Sequence, residues 1–243
     1  MIYEDSIRYD SNQSLILKEG KNLFSLENLV SLIPVHEHLD HGKIAERLAE
    51  KFPNVKVLIV LRNQYDMLRS LYAHNVLIGA TTSFRRFALY AEGKLHKDRV
   101  PKHFGYTYLT YLPPENLNYL PLIEYYEKLF DVTVASYDQG ALTQSVFQWL
   151  GEEPVPIEDV VRNKSLKGGL NIARFANRFI RSRYNESPLF PFIDSRKFCA
   201  HLKRLQLSEK HDVEVKKAVL EYYDASNKIL NERYDLALPT CTS

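Results

Sequence analysis

The chain has 243 residues, 45% of them hydrophobic, which is enough for one sizeable core without requiring a second domain. Lys and Arg number 32 against 30 acidic residues, a net charge of +2, so the whole-chain charge argues neither for nor against nucleic acid or an acidic surface, no nucleic-acid partner is expected, and any basic site must be local. There is no run of about 18 apolar residues to span a bilayer. Two cysteines far apart, Cys199 and Cys241, suit a reducing, cytoplasmic setting and exclude a thiolate metal site.

Residues 1–20 are polar and acidic, with no defined element and no apolar core of a signal peptide. Organisation begins at residue 21, where Asn22 to Ser25 can form a short strand. The segment "VHEHLDHG", residues 35–42, offers His36, His38, Asp40 and His41 at a spacing with which zinc hydrolases of the metallo-β-lactamase kind open a site. The later histidines, His74, His96, His103, His201 and His211, lack the strand-end setting that would complete it. Asp40 also reads as a helix-entry acid, and no metal is expected.

"KIAERLAEKF" then places Ile44, Leu48 and Phe52 at helical spacing, with Pro53-Asn54 as the stop. "VKVLIVL", residues 55–61, is a continuous aliphatic run, as expected of a parallel strand covered on both faces. "RNQYDMLRSLYAHNVL" follows as a helix with Asn63 as its cap and Asp66 in its first turn. A further helix is expected through "FRRFALYAEG", and residues 93–118 are rich in Pro and Gly and read as loop. "LPLIEYYEKLF" is helical, "DVTVASYD" is a second parallel strand, and "GALTQSVFQWLG" is a helix closed by Gly151. From residue 163 the pattern reads helical to the end. Two helix–strand–helix units followed by helices describe a layered α/β domain with a helical C-terminal part.

In such sheets ligands collect beyond the carboxyl ends of the strands, at helix N-termini. Arg62 and Asn63 occupy that place, and Ser70 lies nearly two helical turns beyond Asn63 on the same side. Arg62 and Ser70 can hold one phosphate from two directions. On spacing alone they can equally be structural, with Arg62 pairing with Asp66 and Ser70 facing water. Residues 162–183 contain Arg162, Lys164, Lys167, Arg174, Arg178, Arg181 and Arg183 with no acidic residue. Lys167 before Gly168 and Gly169 can approach a nucleotide closely. Arg174, Arg178 and Arg181 share a helical face that can meet an anionic acceptor or a membrane surface, or can simply be a solvated face above an apolar Ile172, Phe175 and Phe179.

"VLIVLRNQYDMLRSLY" resembles the 3′-phosphate-binding element of sulfotransferases, with Gln64 where many members have proline, as in bacterial carbohydrate-type relatives. "GATTSFRRFAL", "LPLIEYYEKLFDVTVASYDQ", "FQWLG", "RNKSLKGGLNIARFANRF" and "EYYDASNKILNERYDLAL" follow in the family's order, so the resemblance covers residues 21–239 as a single domain. It implies a three-layer α/β fold around a central parallel sheet, P-loop nucleotide-kinase-like. Arg62, Ser70, Asn63, Arg162 and Lys167 would bind 3′-phosphoadenosine 5′-phosphosulfate, and the sulfuryl group would pass to a carbohydrate or other hydroxyl acceptor. Glu27 is the implied base, with His36 and His38 as alternatives and a solvated surface carboxylate as the plain reading. Asn227 and Leu230 of the closing helix are expected to pack as structure. One family element, the strand–loop–helix of the Lys-x-Gly-Thr-Thr kind that grips the 5′-phosphosulfate, is not found. The chain therefore reads as a truncated enzyme, as one completed by another chain or a homodimer across an uncovered sheet edge, or as a binding remnant without catalysis.

Overall fold

The computed structural model describes residues 41–97, 111–137, 142–153, 169–182, 185, 187–205, 207 and 212–241. The expectations placed on Asn22 to Ser25, Glu27, His36, His38, Asp40, Arg162 and Lys167 lie outside the described residues. Within them the chain is a mixed α/β protein built mainly of helices.

Helix α1 (His41–Lys51) turns Ile44, Ala45 and Leu48 inward, at the helical spacing of the sequence. Strand β1 (Lys56–Leu61) leads directly into α2 (Gln64–Leu77). After a one-turn helix α3 (Phe84–Phe87) the backbone does not continue helical as expected. Leu89 takes a left-handed φ of 52°, and β2 (Tyr90–Ala91) and β3 (Lys94–Leu95) form a hairpin closed by Glu92 and Gly93, with φ of 51° and 84°. Two successive positive φ values are what a tight two-residue hairpin requires, and the Glu-Gly pair supplies them.

A 3-10 turn at Pro114–Leu117 precedes α4 (Tyr119–Glu127) and β4 (Asp131–Ser136), which pairs parallel to β1 with Lys56 opposite Asp131 and Leu61 opposite Ser136. Val57, Ile59 and Leu61 share one side of this sheet with Val132 and Val134, and that side forms a core with α1, α4 and Leu230, Leu236 and Leu238. The other side carries the solvent-exposed pair Lys56–Asp131 (3.4 Å), and Val60 there is 41% exposed. Burial of β1 on both faces is therefore corrected to burial on one. An unbroken apolar run is compatible with either arrangement, because it lacks the alternation that would mark a wet face.

Helix α5 (Leu142–Leu150) lies against β4, and Gly151 beyond it is left-handed as a helix stop requires. α6 (Leu170–Ala176) follows a left-handed Gly169, where an added Cβ would stand 2.9 Å from Leu207 Cδ1. Next come β5 (Ile180–Arg181) and β6 (Phe190–Asp194), a short parallel pair where the sequence reads as helix. Pro188 and Pro191 account for the difference, since each removes a backbone donor and biases its predecessor toward extended backbone. α7 (Ser195–Arg204) starts on Asp194, whose carboxylate accepts from the Arg196 and Lys197 N–H groups.

The last helix, α8 (Val213–Tyr234), is 22 residues and so roughly 33 Å long. Its first half supplies Val215, Ala218, Val219 and Tyr223 to a second core with α2, α3 and α7, while Leu230 near its end belongs to the sheet core. Asp235 ends it in the left-handed region, and the Asn231 side chain exchanges two hydrogen bonds with the Leu238 backbone (2.8 and 2.9 Å). No helix among the described residues is long and apolar enough to cross a membrane.

Candidate anion-binding site at the carboxyl end of the sheet

β1 delivers its last buried residue, Leu61, opposite Ser136 of β4, so the residues that follow each strand emerge together at the carboxyl end of the pair. These are Arg62 and Asn63 on one side and Tyr137 on the other. The Arg62 guanidinium carbon stands 5.5 Å from the centre of the exposed Tyr137 ring, a cation–π distance. The Arg62 carbonyl accepts a hydrogen bond from the buried Tyr119 hydroxyl at 2.9 Å, which fixes the backbone of the turn. Arg62 Nε is buried and has no hydrogen-bond partner among the described residues. A guanidinium donor withdrawn from water without an acceptor is costly, and an anion is the ligand that would complete it.

Asn63 caps α2: its side-chain oxygen accepts from the N–H groups of Tyr65 (2.9 Å) and Asp66 (3.3 Å). That oxygen is thereby committed to the helix, and Asn63 shapes the turn that presents Arg62. Ser70 is half-buried on α2, about 10 Å along the helix axis from Asn63. No hydrogen bond among the described residues joins it to Arg62, so a ligand shared by the two has to lie along the flank of α2 rather than across its tip.

Gln64, the first residue of α2, is buried and forms a reciprocal amide pair with buried Asn227 of α8. Gln64 Nε2 donates to Asn227 Oδ1 (2.6 Å), and Asn227 Nδ2 donates to Gln64 Oε1 (3.1 Å) and to the Pro239 carbonyl (2.9 Å). The other end of α2 is held in the same way. Asn177 Nδ2 donates to the carbonyls of Val76 (2.8 Å) and Ala80 (3.0 Å), and Ser195 Oγ donates to that of Leu77 (3.0 Å). The helix that carries Arg62 at its entry is thus fastened at both ends by side chains from the last third of the chain.

Along the other flank of α2 runs a cleft of about 520 Å³ that sequence reasoning did not find. Tyr65, Tyr72 and Phe84 form its aromatic wall, with ring centres 6.1 Å (Tyr65–Phe84) and 5.2 Å (Tyr72–Phe84) apart. Burial pushes the Tyr72 hydroxyl up to about 12, so it is neutral at physiological pH and available as a donor; here it donates to the Thr82 carbonyl (3.0 Å). Arg85, also in the lining, binds Asp212 through two nitrogens (2.7 and 3.2 Å) and Glu214 through a third (2.9 Å). Burial opposes charge on Asp212, yet the Arg85 hydrogen bond and the Val215 N–H hold its carboxyl below the ordinary value. With Leu170 and Asn171 of α6, which complete the lining, these side chains come from four separated segments, and only the tertiary fold brings them together.

Among the described residues no group of three or more His, Cys, Asp or Glu side chains converges as a metal site. His96 Nε2 lies 2.9 Å from the Ala91 carbonyl, while His74 and His201 are exposed. Buried Cys199 has its thiol pushed up to about 11 by desolvation, which removes it as a nucleophile. No family model, curated protein or solved structure matches the chain.

Proposed function

We propose that this chain is a sulfotransferase-type protein, its β1–turn–α2 element binding the 3′-phosphate of 3′-phosphoadenosine 5′-phosphosulfate within a three-layer, P-loop-like α/β fold. The observation that carries this reading is Arg62: a guanidinium at the carboxyl end of a parallel strand pair, beside a helix N-terminus, with a buried donor lacking a partner among the described residues. Ser70 adds a hydroxyl on the flank of the same helix, Asn63 holds the turn, and Tyr137 gives the arginine a face to rest on. Arg162 and Lys167 of the basic segment are assigned to the nucleotide by the sequence resemblance alone.

The donor, when bound, supplies the sulfuryl group and a stable phosphate as leaving group. The acceptor hydroxyl oxygen bonds to sulfur as the bond from sulfur to the bridging oxygen breaks, and Glu27, or in its place His36 or His38, takes the hydroxyl proton. The cleft beside α2 suits the acceptor. Its aromatic wall can stack on a sugar ring, and Asn171, Asp212 and Glu214 offer hydrogen bonds to hydroxyls. The alternative is a protein that binds the donor nucleotide without transferring the sulfuryl group.

Calorimetry with 3′-phosphoadenosine 5′-phosphate tests the site. The parent chain binds it, and Arg62→Ala weakens binding by roughly ten- to a hundredfold, the worth of a charged hydrogen bond. No binding by the parent, or binding indifferent to Arg62→Ala, refutes the reading. Transfer of labelled sulfate to a panel of sugars then separates an enzyme from a binding protein.

A further inference from the structure

Helix α6 faces the opposite way from the one its composition favours. The side chains it and its cap bury completely are Ala173 and Asn177, whereas Ile172 is 51% and Phe175 58% exposed. The sequence reading of a basic helix face above an apolar underside is thereby corrected. The apolar residues share the surface with the arginines.

This surface continues into β6. Phe175 packs against Phe179 with ring centres 5.3 Å apart, the Phe190 N–H donates to the Phe179 carbonyl (2.8 Å), and Phe190 touches Phe192 at 6.1 Å. Phe190 and Phe192 are two residues apart on a strand and so project from the same side. Phe192 is 80% exposed, and Leu189 beside them 68%. A single exposed hydrophobe is ordinary, but five on adjoining elements make a patch of the kind that marks an interaction surface.

The charge around the patch is one-sided. Arg178 stands over the Phe175 ring at 6.0 Å, and Arg181, Arg196 and Lys197 are exposed beside it. The described acid there, Asp194, is occupied in capping α7. The described residues between 169 and 205 hold seven Lys and Arg against one acidic residue, in a chain whose total charge is only +2. The partner must therefore be anionic, and it must also accept phenyl and leucyl side chains that bear no hydrogen-bonding group.

We propose that the face built by α6 and the β5–β6 pair docks on the surface of anionic lipid bilayers. The phenyl rings and Leu189 enter the boundary between head groups and acyl chains, and the arginines lie against lipid phosphates and carboxylates. A second copy of this chain docked through the same face would bring like charge against like charge, and neither another face of a second copy nor a folded acidic protein offers a fluid apolar layer for residues this exposed.

Flotation with vesicles of phosphatidylcholine alone, and of phosphatidylcholine mixed with phosphatidylserine, tests the assignment. Binding is expected to the mixed vesicles only and to decline with added salt. Arg178→Ala with Arg181→Ala costs about fivefold in affinity per arginine. Phe190→Ser with Phe192→Ser costs on the order of tenfold or more. Because Phe192 is largely exposed, Phe192→Ser alone retains the parent's circular dichroism and urea midpoint while still weakening binding. Equal binding to both vesicle types, or parental binding by the phenylalanine variants, overturns the proposal. So does tighter retention on a single-stranded RNA oligonucleotide than on the vesicles, or a dimer that the same substitutions dissociate.

Discussion

Replacing Asn227 by alanine removes a side chain that touches neither the proposed phosphate site nor the cleft, yet it should disturb both. Three hydrogen bonds vanish, two to Gln64 and one to the Pro239 carbonyl. The Gln64 amide is then left buried with its donor and acceptor unmatched, and water has little access because both residues are almost completely enclosed. With a net worth of about 1 kcal/mol per hydrogen bond and about 1–3 kcal/mol for a stranded buried group, a destabilisation of about 3 kcal/mol follows. For a chain of this size that is a fall in melting temperature of roughly 6–12 °C. Gln64→Ala removes two of the same bonds and leaves Asn227 its bond to Pro239, so about 2 kcal/mol is expected. The double variant should cost clearly less than the two summed, with a coupling of about 1–2 kcal/mol measured by urea unfolding of all four proteins. Affinity for 3′-phosphoadenosine 5′-phosphate should fall in both single variants, because Gln64 follows the Arg62–Asn63 turn immediately. Additive effects, or an Asn227→Ala cost below about 1 kcal/mol, would refute the claim that this amide pair anchors the entry of α2.

Gly169→Ala should destabilise the chain by about 1–2 kcal/mol in urea unfolding, since alanine is strained at a φ of 77° and its methyl would stand 2.9 Å from Leu207 Cδ1. The lowered Asp212 carboxyl contributes stability that is complete above its unfolded value of 3.8 and lost as pH falls through the folded value. Arg85→Met should therefore be less stable than the parent at pH 7, with a gap that narrows in acid; a gap independent of pH would remove Arg85 as the cause. At the alkaline end, Tyr72 and Tyr126 have hydroxyls raised to about 12, so the stability they lend is present below about 10 and lost as pH climbs toward 12. Ultraviolet titration should show a late group of tyrosinates that ionise with unfolding. A thiol reagent at pH 8 should label Cys241 alone in the native protein and both cysteines once it is unfolded; early labelling of Cys199 would contradict its burial.

Local pattern was enough for the elements whose cause is local. The helical spacing of Ile44 and Leu48, the aliphatic run before Arg62, the Asn63 cap and the Gly151 stop each depend on residues within a turn or two, and each lies where the sequence puts it. The place of Arg62 was legible for the same reason: a strand followed at once by a capped helix fixes what stands at their junction. The hairpin after α3 was missed because "FRRFALYAEG" has the composition of a helix, and only the left-handed φ of Leu89, Glu92 and Gly93 redirects it. Tertiary contact alone decided that β1 is wet on one side and that Gln64 meets Asn227 across 163 positions. It likewise made a cleft from four distant segments, and it turned Ala173 inward and Phe175 outward. Those outcomes turn on which surfaces the rest of the chain leaves uncovered, and the spacing of apolar residues within one element carries no information about its neighbours.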